Sequence, residues 1–238
     1  MELDILVFGA HPDDAELGCG GTIASHVAQG LKVGVVDFTK GEMGTRGTPE
    51  TRMKESSDSA QILGLQAREN LGFEDVFFKN DKEHQMEVAK MIRKYRPGIV
   101  LANAVSDRHP DHGKAAQVVQ GAWFLAGLSK LDTAIDGQKQ EPWRPKVIYH
   151  YIQSIYIKPD FIVDVSGFWD TKLKAILSFQ SQFFDPDSNE PETYVSSPAF
   201  LKMIESRSSD FGHSIGSEHA EGFTVNRNIG VKSLTHLL

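Results

Sequence analysis

Gly9-Ala10-His11-Pro12-Asp13-Asp14-Ala15-Glu16-Leu17-Gly18-Cys19-Gly20-Gly21 follows without a break on the apolar run Ile5-Leu6-Val7-Phe8. A continuous apolar run bounded by turn residues reads as a strand buried on both faces. That strand delivers an imidazole and two adjacent carboxylates to the rim of a sheet. Adjacent carboxylates repel, and burying either is costly unless a cation or hydrogen bonds hold it. A metal ion is one such cation. An N-capping aspartate before a helix is the plainer use of the same residues.

Outward from this stretch the chain alternates strand and helix. Residues 5–10 predict the first strand, 22–29 a helix closed by Gly30, and 31–39 a second buried strand, together a right-handed βαβ unit with parallel strands. Residues 40–48 form a glycine-rich loop. Residues 49–63 predict a helix that Thr48 can cap, with Pro49 in its first turn. Short extended pieces are expected at 70–72 and 76–78, an amphipathic helix at 84–95, a buried strand at 99–104 and a helix at 114–131. After a polar loop at 132–144 come strands at 147–152 and 161–165, a helix at 171–179, an acidic loop at 185–192 and a last helix at 198–207. The expected fold class is α/β, a Rossmann-like, doubly wound, mostly parallel sheet with helices on both faces. One domain over residues 1–238 is expected, its part from about 145 onward completing the sheet and the substrate pocket.

Composition narrows the function. The formal charge of −7, with no Lys/Arg cluster, argues against nucleic acid or an anionic membrane surface as partner. Cys19 is the only cysteine, which excludes a disulfide framework and a cysteine-rich zinc knuckle. The N-terminal residues lack a basic start and a long apolar stretch, and no run approaches a membrane span, so a cytoplasmic protein is expected. Gly18-Cys19-Gly20-Gly21 lacks the spacing of a dinucleotide fingerprint. These glycines more simply let the first helix pack tightly beneath the loop, with Cys19 a small core residue.

A second motif, Asp107-Arg108-His109-Pro110-Asp111-His112-Gly113, follows the strand at 99–104. In an open α/β sheet the ligand site lies outside the carboxyl ends of the strands, where strand order reverses. If the two motif-bearing strands are neighbours, their loops share one crevice. It then holds enough imidazole and carboxylate for a two-histidine, one-carboxylate metal site with acid–base groups to spare. Sequential Asp13 and Asp14 point apart, so one binds metal and the other stays free as a general base. Three ligands leave a position for water, whose pKa zinc brings to about 7. Each motif alone could be a capped helix start; two of them, each after a buried strand, favour the shared site.

Ala10-His11-Pro12-Asp13-Asp14-Ala15-Glu16 together with His109-Pro110-Asp111-His112 resembles the PIG-L/LmbE-like, zinc-dependent N-acetylglucosamine deacetylases. The resemblance extends over most of the chain, including the loop at 41–49 and Ala220-Glu221-Gly222-Phe223, and is greatest to the bacillithiol-pathway branch, which acts on N-acetylglucosaminyl-malate. It implies that His11, Asp14 and His112 bind Zn(2+), with Fe(2+) an alternative for the same donors. Asp13 would be the general base, and His109 would stabilise charge or protonate the leaving amine. Arg52 would bind substrate, suiting a malate carboxylate, with Arg46 a second candidate. Tyr194 would help hold the tetrahedral oxyanion. The implied partner is a small-molecule N-acetyl sugar, and many relatives are homo-oligomers. Without the resemblance, Arg52 would read as a surface helix arginine paired with Glu50 or Glu55, and Tyr194 as a loop residue packed on the core.

Overall fold

A computed structural model describes residues 1–183 and 189–237. The elements are, in chain order, β1 (Ile5–Gly9), α1 (Asp14–Ala28), β2 (Val33–Thr39), α2 (Pro49–Leu63), β3 (Ala67–Phe73), α3 (Lys82–Tyr95), β4 (Ile99–Ala102) and α4 (Pro110–Ala126). They continue with β5 (Ala134–Ile135), β6 (Gln138–Lys139), β7 (Val147–Tyr151), β8 (Phe161–Asp164), α5 (Trp169–Leu177), α6 (Pro198–Ser214) and β9 (Ala220–Val225). The described residues form a seven-stranded sheet in the order β3-β2-β1-β4-β7-β9-β8, with β5 and β6 a separate hairpin. Pairings among β3, β2, β1, β4 and β7 are parallel; β9 runs antiparallel to both β7 and β8. Helices α3 and α4 pack Ile92 and Val119 against Phe8, Val36 and Val100 on one face. Helices α1 and α5 pack Ile23 and Ala175 against Val7, Val35 and Leu101 on the other. Strands covered on both sides explain the unbroken apolar runs of β1 and β2.

The layers are those expected from the strand–helix alternation, and several element boundaries differ. Helix α1 begins at Asp14 rather than at residue 22, because Cys19 (φ −147°, ψ 23°) breaks it into two segments. Glu221 of β9 joins the second segment: its carboxylate accepts the N–H groups of Gly21 (2.9 Å) and Thr22 (2.7 Å) and the ammonium of Lys172 (2.6 Å). No local pattern near residue 22 could reveal a cap 199 residues away. Strand β3 is a single element, residues 76–78 carry no strand, β9 lies where no strand was expected, and α6 runs on to Ser214. Residues 185–188 of the expected acidic loop at 185–192 lie outside the described residues.

The glycines do let α1 pack closely, but against Tyr151 of β7 and Val165 after β8 rather than beneath the loop. A Cβ on Gly18 would collide with the Tyr151 ring, and one on Gly21 would sit 2.8 Å from Val165. Tyr151 is itself fixed by donating its hydroxyl to the Phe8 carbonyl (2.8 Å), so it cannot retreat without losing that bond. Gly18→Ala should therefore destabilise the fold by roughly 1–3 kcal/mol through overpacking, read as a lowered urea midpoint with unchanged m-value. An unchanged midpoint would show that the ring has room to move.

Candidate active site

Chain order runs β1 to β2 to β3 in one direction across the sheet, and then β4 and β7 in the other. The switch point lies between β1 and β4, and the two motifs leave the sheet from those strands. His11 to Asp14 and Asn103 to His112 thus face one crevice, with Gln153 joining from the end of β7.

Asp13 occupies the N-cap position of α1 with φ 115° and ψ −21°, a left-handed conformation that costs a non-glycine residue on the order of 1–3 kcal/mol. Its carboxylate makes no capping bond among the described residues. It accepts instead from Arg52 Nη2 at 3.1 Å, and the same nitrogen donates to the Pro12 carbonyl. The backbone twist turns Asp13 and Asp14 apart. Asp14 Oδ2 accepts from the His11 backbone N–H (2.9 Å) and from Asn103 Nδ2 (3.0 Å). Asp14 Oδ1 accepts from Gln153 Nε2 (2.9 Å) and lies 3.1 Å from His112 Nε2.

Each histidine is oriented from behind. His112 Nδ1 meets Asp107 Oδ2 at 2.6 Å, which points Nε2 at Asp14. His11 Nε2 meets Asp75 Oδ1 at 3.0 Å and Asp111 Oδ2 at 3.4 Å, which leaves Nδ1 on the Asp14 side, 3.6 Å from Oδ2. His109 caps α4, its Nδ1 accepting the Asp111 N–H at 3.3 Å, so the capped-turn reading of the second motif holds for this residue. Its ring stacks on His112 (centroids 5.2 Å) and meets His11 edge-on (4.7 Å).

The charges follow these contacts. Burial pushes the Asp13 carboxyl up to about 7, opposed by Arg52 and reinforced by Asp14. Asp14 stays well below the usual carboxylate range: burial alone would raise it, but the His112 and His11 imidazoles outweigh that. Burial would lower both imidazoles; Asp111, Asp14 and Asp75 instead hold His11 well above its ordinary value, and Asp14 and Asp107 bring His112 to about 9. His109 is lowered by burial and by its two histidine neighbours. A divalent cation bound at this point would displace the protons of His11 and His112.

Among the described residues, two sets of donors have their ligand atoms within 4.8 Å of one another: His11 with His109 and His112, and His11 with Asp75 and Asp111. The second lies behind His11, where Asp111 is already taken by Lys114 Nζ (2.8 Å) and the Val76 N–H (3.1 Å), and Asp75 by the Met43 N–H (3.1 Å). The first faces the cavity, and Asp14 stands between two of its imidazoles. Two neutral-nitrogen donors and a carboxylate, each imidazole backed by a carboxylate, suit a zinc-type ion.

The cavity holds about 330 Å³, and Arg46, Arg52 and Tyr194 all line it. Arg52 does not pair with Glu50 or Glu55; Glu55 is taken by Ser181 (2.7 Å to its N–H), and Arg52 turns inward to Asp13. Gly41 (φ +67°) makes this possible, since a Cβ there would collide with Arg52 Nη1. Arg46 is buried and pairs with Glu190 at 3.2 Å. Tyr194 lies at the rim with the Arg108 guanidinium 4.2 Å from its ring centre. Arg108 and Arg207 also line the cavity and were not foreseen. Nor were the orienting roles of Asp75, Asp107, Asp111 and Gln153. Asp107 and Asp111 flank the motif histidines and could have been suspected from that; Asp75 and Gln153 carry no local signal.

A mostly parallel sheet whose switch point gathers a metal-type donor set and a separate buried carboxylate suits metal-assisted hydrolysis on an α/β fold. Comparison with known proteins narrows this. The PIG-L family, described as GlcNAc-PI de-N-acetylase, matches residues 6–123. The diacetylchitobiose deacetylase of Thermococcus kodakarensis is 30% identical over 228 residues, covering 92% of this chain and 81% of that one. A probable N-acetyl-alpha-D-glucosaminyl L-malate deacetylase 2 of Bacillus cereus is 28% identical, covering 76% and 84%. Among solved structures, a conserved protein of Thermus thermophilus superposes with a TM-score of 0.86 at 37% identity, covering 98% of both chains. The chain belongs to the PIG-L family of deacetylases. No helix among the described residues is long and apolar enough to cross a membrane.

If Asp107 fixes the His112 ring, Asp107→Ala should weaken zinc affinity roughly 10–100-fold, measured by competition with a chelating dye while circular dichroism stays unchanged. Affinity within twofold of wild type would remove Asp107 from that role.

Proposed function

We propose that this protein removes the N-acetyl group from an N-acetylglucosamine glycoside with an anionic aglycone, most simply N-acetylglucosaminyl-malate on the route to bacillithiol. The observation that carries this reading is the divergence of the two adjacent carboxylates, Asp14 toward the histidines and Asp13 toward Arg52 and the cavity. His11, Asp14 and His112 would hold the ion, proposed as Zn(2+), with Fe(2+) accommodated by the same donors. When bound, that ion polarises the amide carbonyl and makes water a better nucleophile at neutral pH.

The remaining chemistry belongs to the side chains. Asp13, kept next to the donor set by Arg52, takes a proton from the attacking water. It returns one to the departing amine nitrogen as the C–N bond breaks, releasing acetate and a free amino sugar. His109, stacked beside the donor set, is placed to share that proton transfer or to stabilise the developing charge. Tyr194 at the rim would donate its hydroxyl to the oxyanion. Arg46 and Arg52 would receive the malate carboxylates, and Arg52 Nε, buried with no hydrogen-bond partner among the described residues, offers a donor for this. Arg108 and Arg207 add positive charge to the same wall. The single buried cysteine and the formal charge of −7 support action in the reducing cytoplasm, on a small molecule.

Acetate release tests the reading. Asp13→Ala should retain metal while losing activity by roughly 10²–10⁴-fold; turnover near wild type would exclude Asp13 as base. His112→Ala should lose both metal and activity. Substrate choice is tested separately by comparing N-acetylglucosaminyl-malate with its uncharged methyl glycoside. The malyl compound should be favoured by about 10–100-fold in kcat/KM, the value of charge-assisted hydrogen bonds, and Arg46→Ala should erase most of that preference. Equal turnover of the two glycosides would leave a deacetylase with a different aglycone.

A further inference from the structure

Besides the histidines, the cationic side chains lining the cavity are Arg46, Arg52, Arg108, Lys172 and Arg207. Three are already matched by carboxylates: Arg46 by Glu190 (3.2 Å), Arg52 by Asp13 (3.1 Å) and Lys172 by Glu221 (2.6 Å). Arg108 and Arg207 have no carboxylate within ion-pair distance among the described residues. Arg207, half-buried on α6, donates from Nη2 to the Ser154 carbonyl (2.6 Å). Its acidic neighbour Asp107 is engaged elsewhere, Oδ2 with His112 Nδ1 (2.6 Å) and Oδ1 with the Ile155 N–H (2.6 Å). Burial accordingly lowers the Arg207 guanidinium below its ordinary value, against the charges of Tyr194 and Asp107. Arg108 is exposed and lies over Tyr194, 4.2 Å from the ring centre. A half-buried cation without an anion is unfavourable, and a bound carboxylate relieves it.

We infer that Arg207, together with Arg108, receives a second carboxylate of the aglycone, and that this pair selects dicarboxylate over monocarboxylate glycosides. The inference deepens the anionic-aglycone reading above and rests on it. Two carboxylates on one small aglycone repel each other and are best met by separate cations. The first has Arg46 and Arg52, with Arg52 Nε still open as a donor; the second has Arg207 and Arg108. Their placement suits the substrate's chemistry. The scissile amide and the glycosidic oxygen stand on neighbouring ring carbons, so the aglycone stays within a few bonds of the reacting carbonyl. Both guanidiniums hang beside the donor set: Arg108 precedes His109, and Ser154, which holds Arg207, follows Gln153, the donor to Asp14 (2.9 Å). The Ser154 contact takes one N–H of the planar guanidinium and orients the rest for a carboxylate. A charge-assisted contact of this kind is worth about 10–100-fold in affinity.

The test uses zinc-loaded full-length protein and the malyl, lactyl and methyl glycosides of N-acetylglucosamine, read by release of free amine. The lactyl compound keeps the carboxylate beside the glycosidic carbon and lacks the second. Wild type should favour malyl over lactyl at least tenfold in kcat/KM; equal values would overturn the inference. Arg207→Gln should remove most of that ratio, and Arg207→Glu should push it below one, because the new carboxylate repels the second carboxylate of the substrate. A merely structural role lowers turnover of both glycosides alike and does not depend on the sign of the charge. A wild-type ratio in Arg207→Gln, or the same ratio in the Gln and Glu variants, would therefore overturn the inference. So would a lactyl-to-methyl ratio that falls as far as the malyl-to-lactyl ratio. Should wild type release no amine from any glycoside, the deacetylase reading fails, and calorimetry with the same three compounds decides the inference. Malyl binding at least tenfold tighter than lactyl, lost in Arg207→Gln, supports it; equal affinities in wild type exclude it.

Discussion

Two adjacent carboxylates buried at the end of a central strand are the constraint on which this structure turns. Asp14 is tolerated there because four groups meet it: the His11 backbone N–H, the amides of Asn103 and Gln153, and the His112 imidazole. Asp13 is tolerated because a left-handed backbone swings it away to Arg52. Each partner arrives on a different element, so the site exists only once β1, β4, β7 and α2 are assembled. The protein thus spends stability on a charged cluster that a purely structural turn would not require, as functional sites commonly do.

The surrounding architecture extends the same logic. Arg68 on β3 bridges Asp37 on β2 and Glu16 on α1, making a bidentate contact to Asp37 at 2.9 and 3.1 Å. Burial still pushes Asp37 up to about 6, against the pull of Arg68. On the other side of α1, Glu221 and Lys172 secure the segment beyond the Cys19 break. The helix that begins at the active site is therefore held by the Glu16–Arg68 pair in its first turn and by the Glu221 carboxylate on its backbone beyond the break, while Gly18 and Gly21 let it lie close against Tyr151 and Val165. Buried pairs of this kind contribute little net stability but make loss of one partner costly, and so they fix geometry.

How far the site could be read in advance differs from residue to residue. His11, Asp13, Asp14, His109 and His112 were visible because they are compact, chemically unusual groups placed after apolar runs. Arg52 was visible as a family position, but its contact with Asp13 was not, because 39 residues and a glycine-rich loop separate the two. Asp75 and Gln153 were invisible: a single aspartate after a strand and a single glutamine in a loop are common, and only their positions against His11 and Asp14 distinguish them. The second segment of α1 reads in the sequence as a separate helix for the same reason, since the carboxylate that caps it comes from the far end of the chain.

The sequence by itself determined the alternation of strand and helix, the parallel α/β class and the residue types that meet at the switch point, because hydrophobic period and turn chemistry are local and act before the chain is folded. The tertiary structure alone decided which oxygen of Asp14 faces which imidazole, which carboxylates stand behind His11 and His112, and that Glu221 of β9 holds the second segment of α1. Those outcomes depend on distances between elements far apart in the chain, which packing sets and which no local pattern encodes.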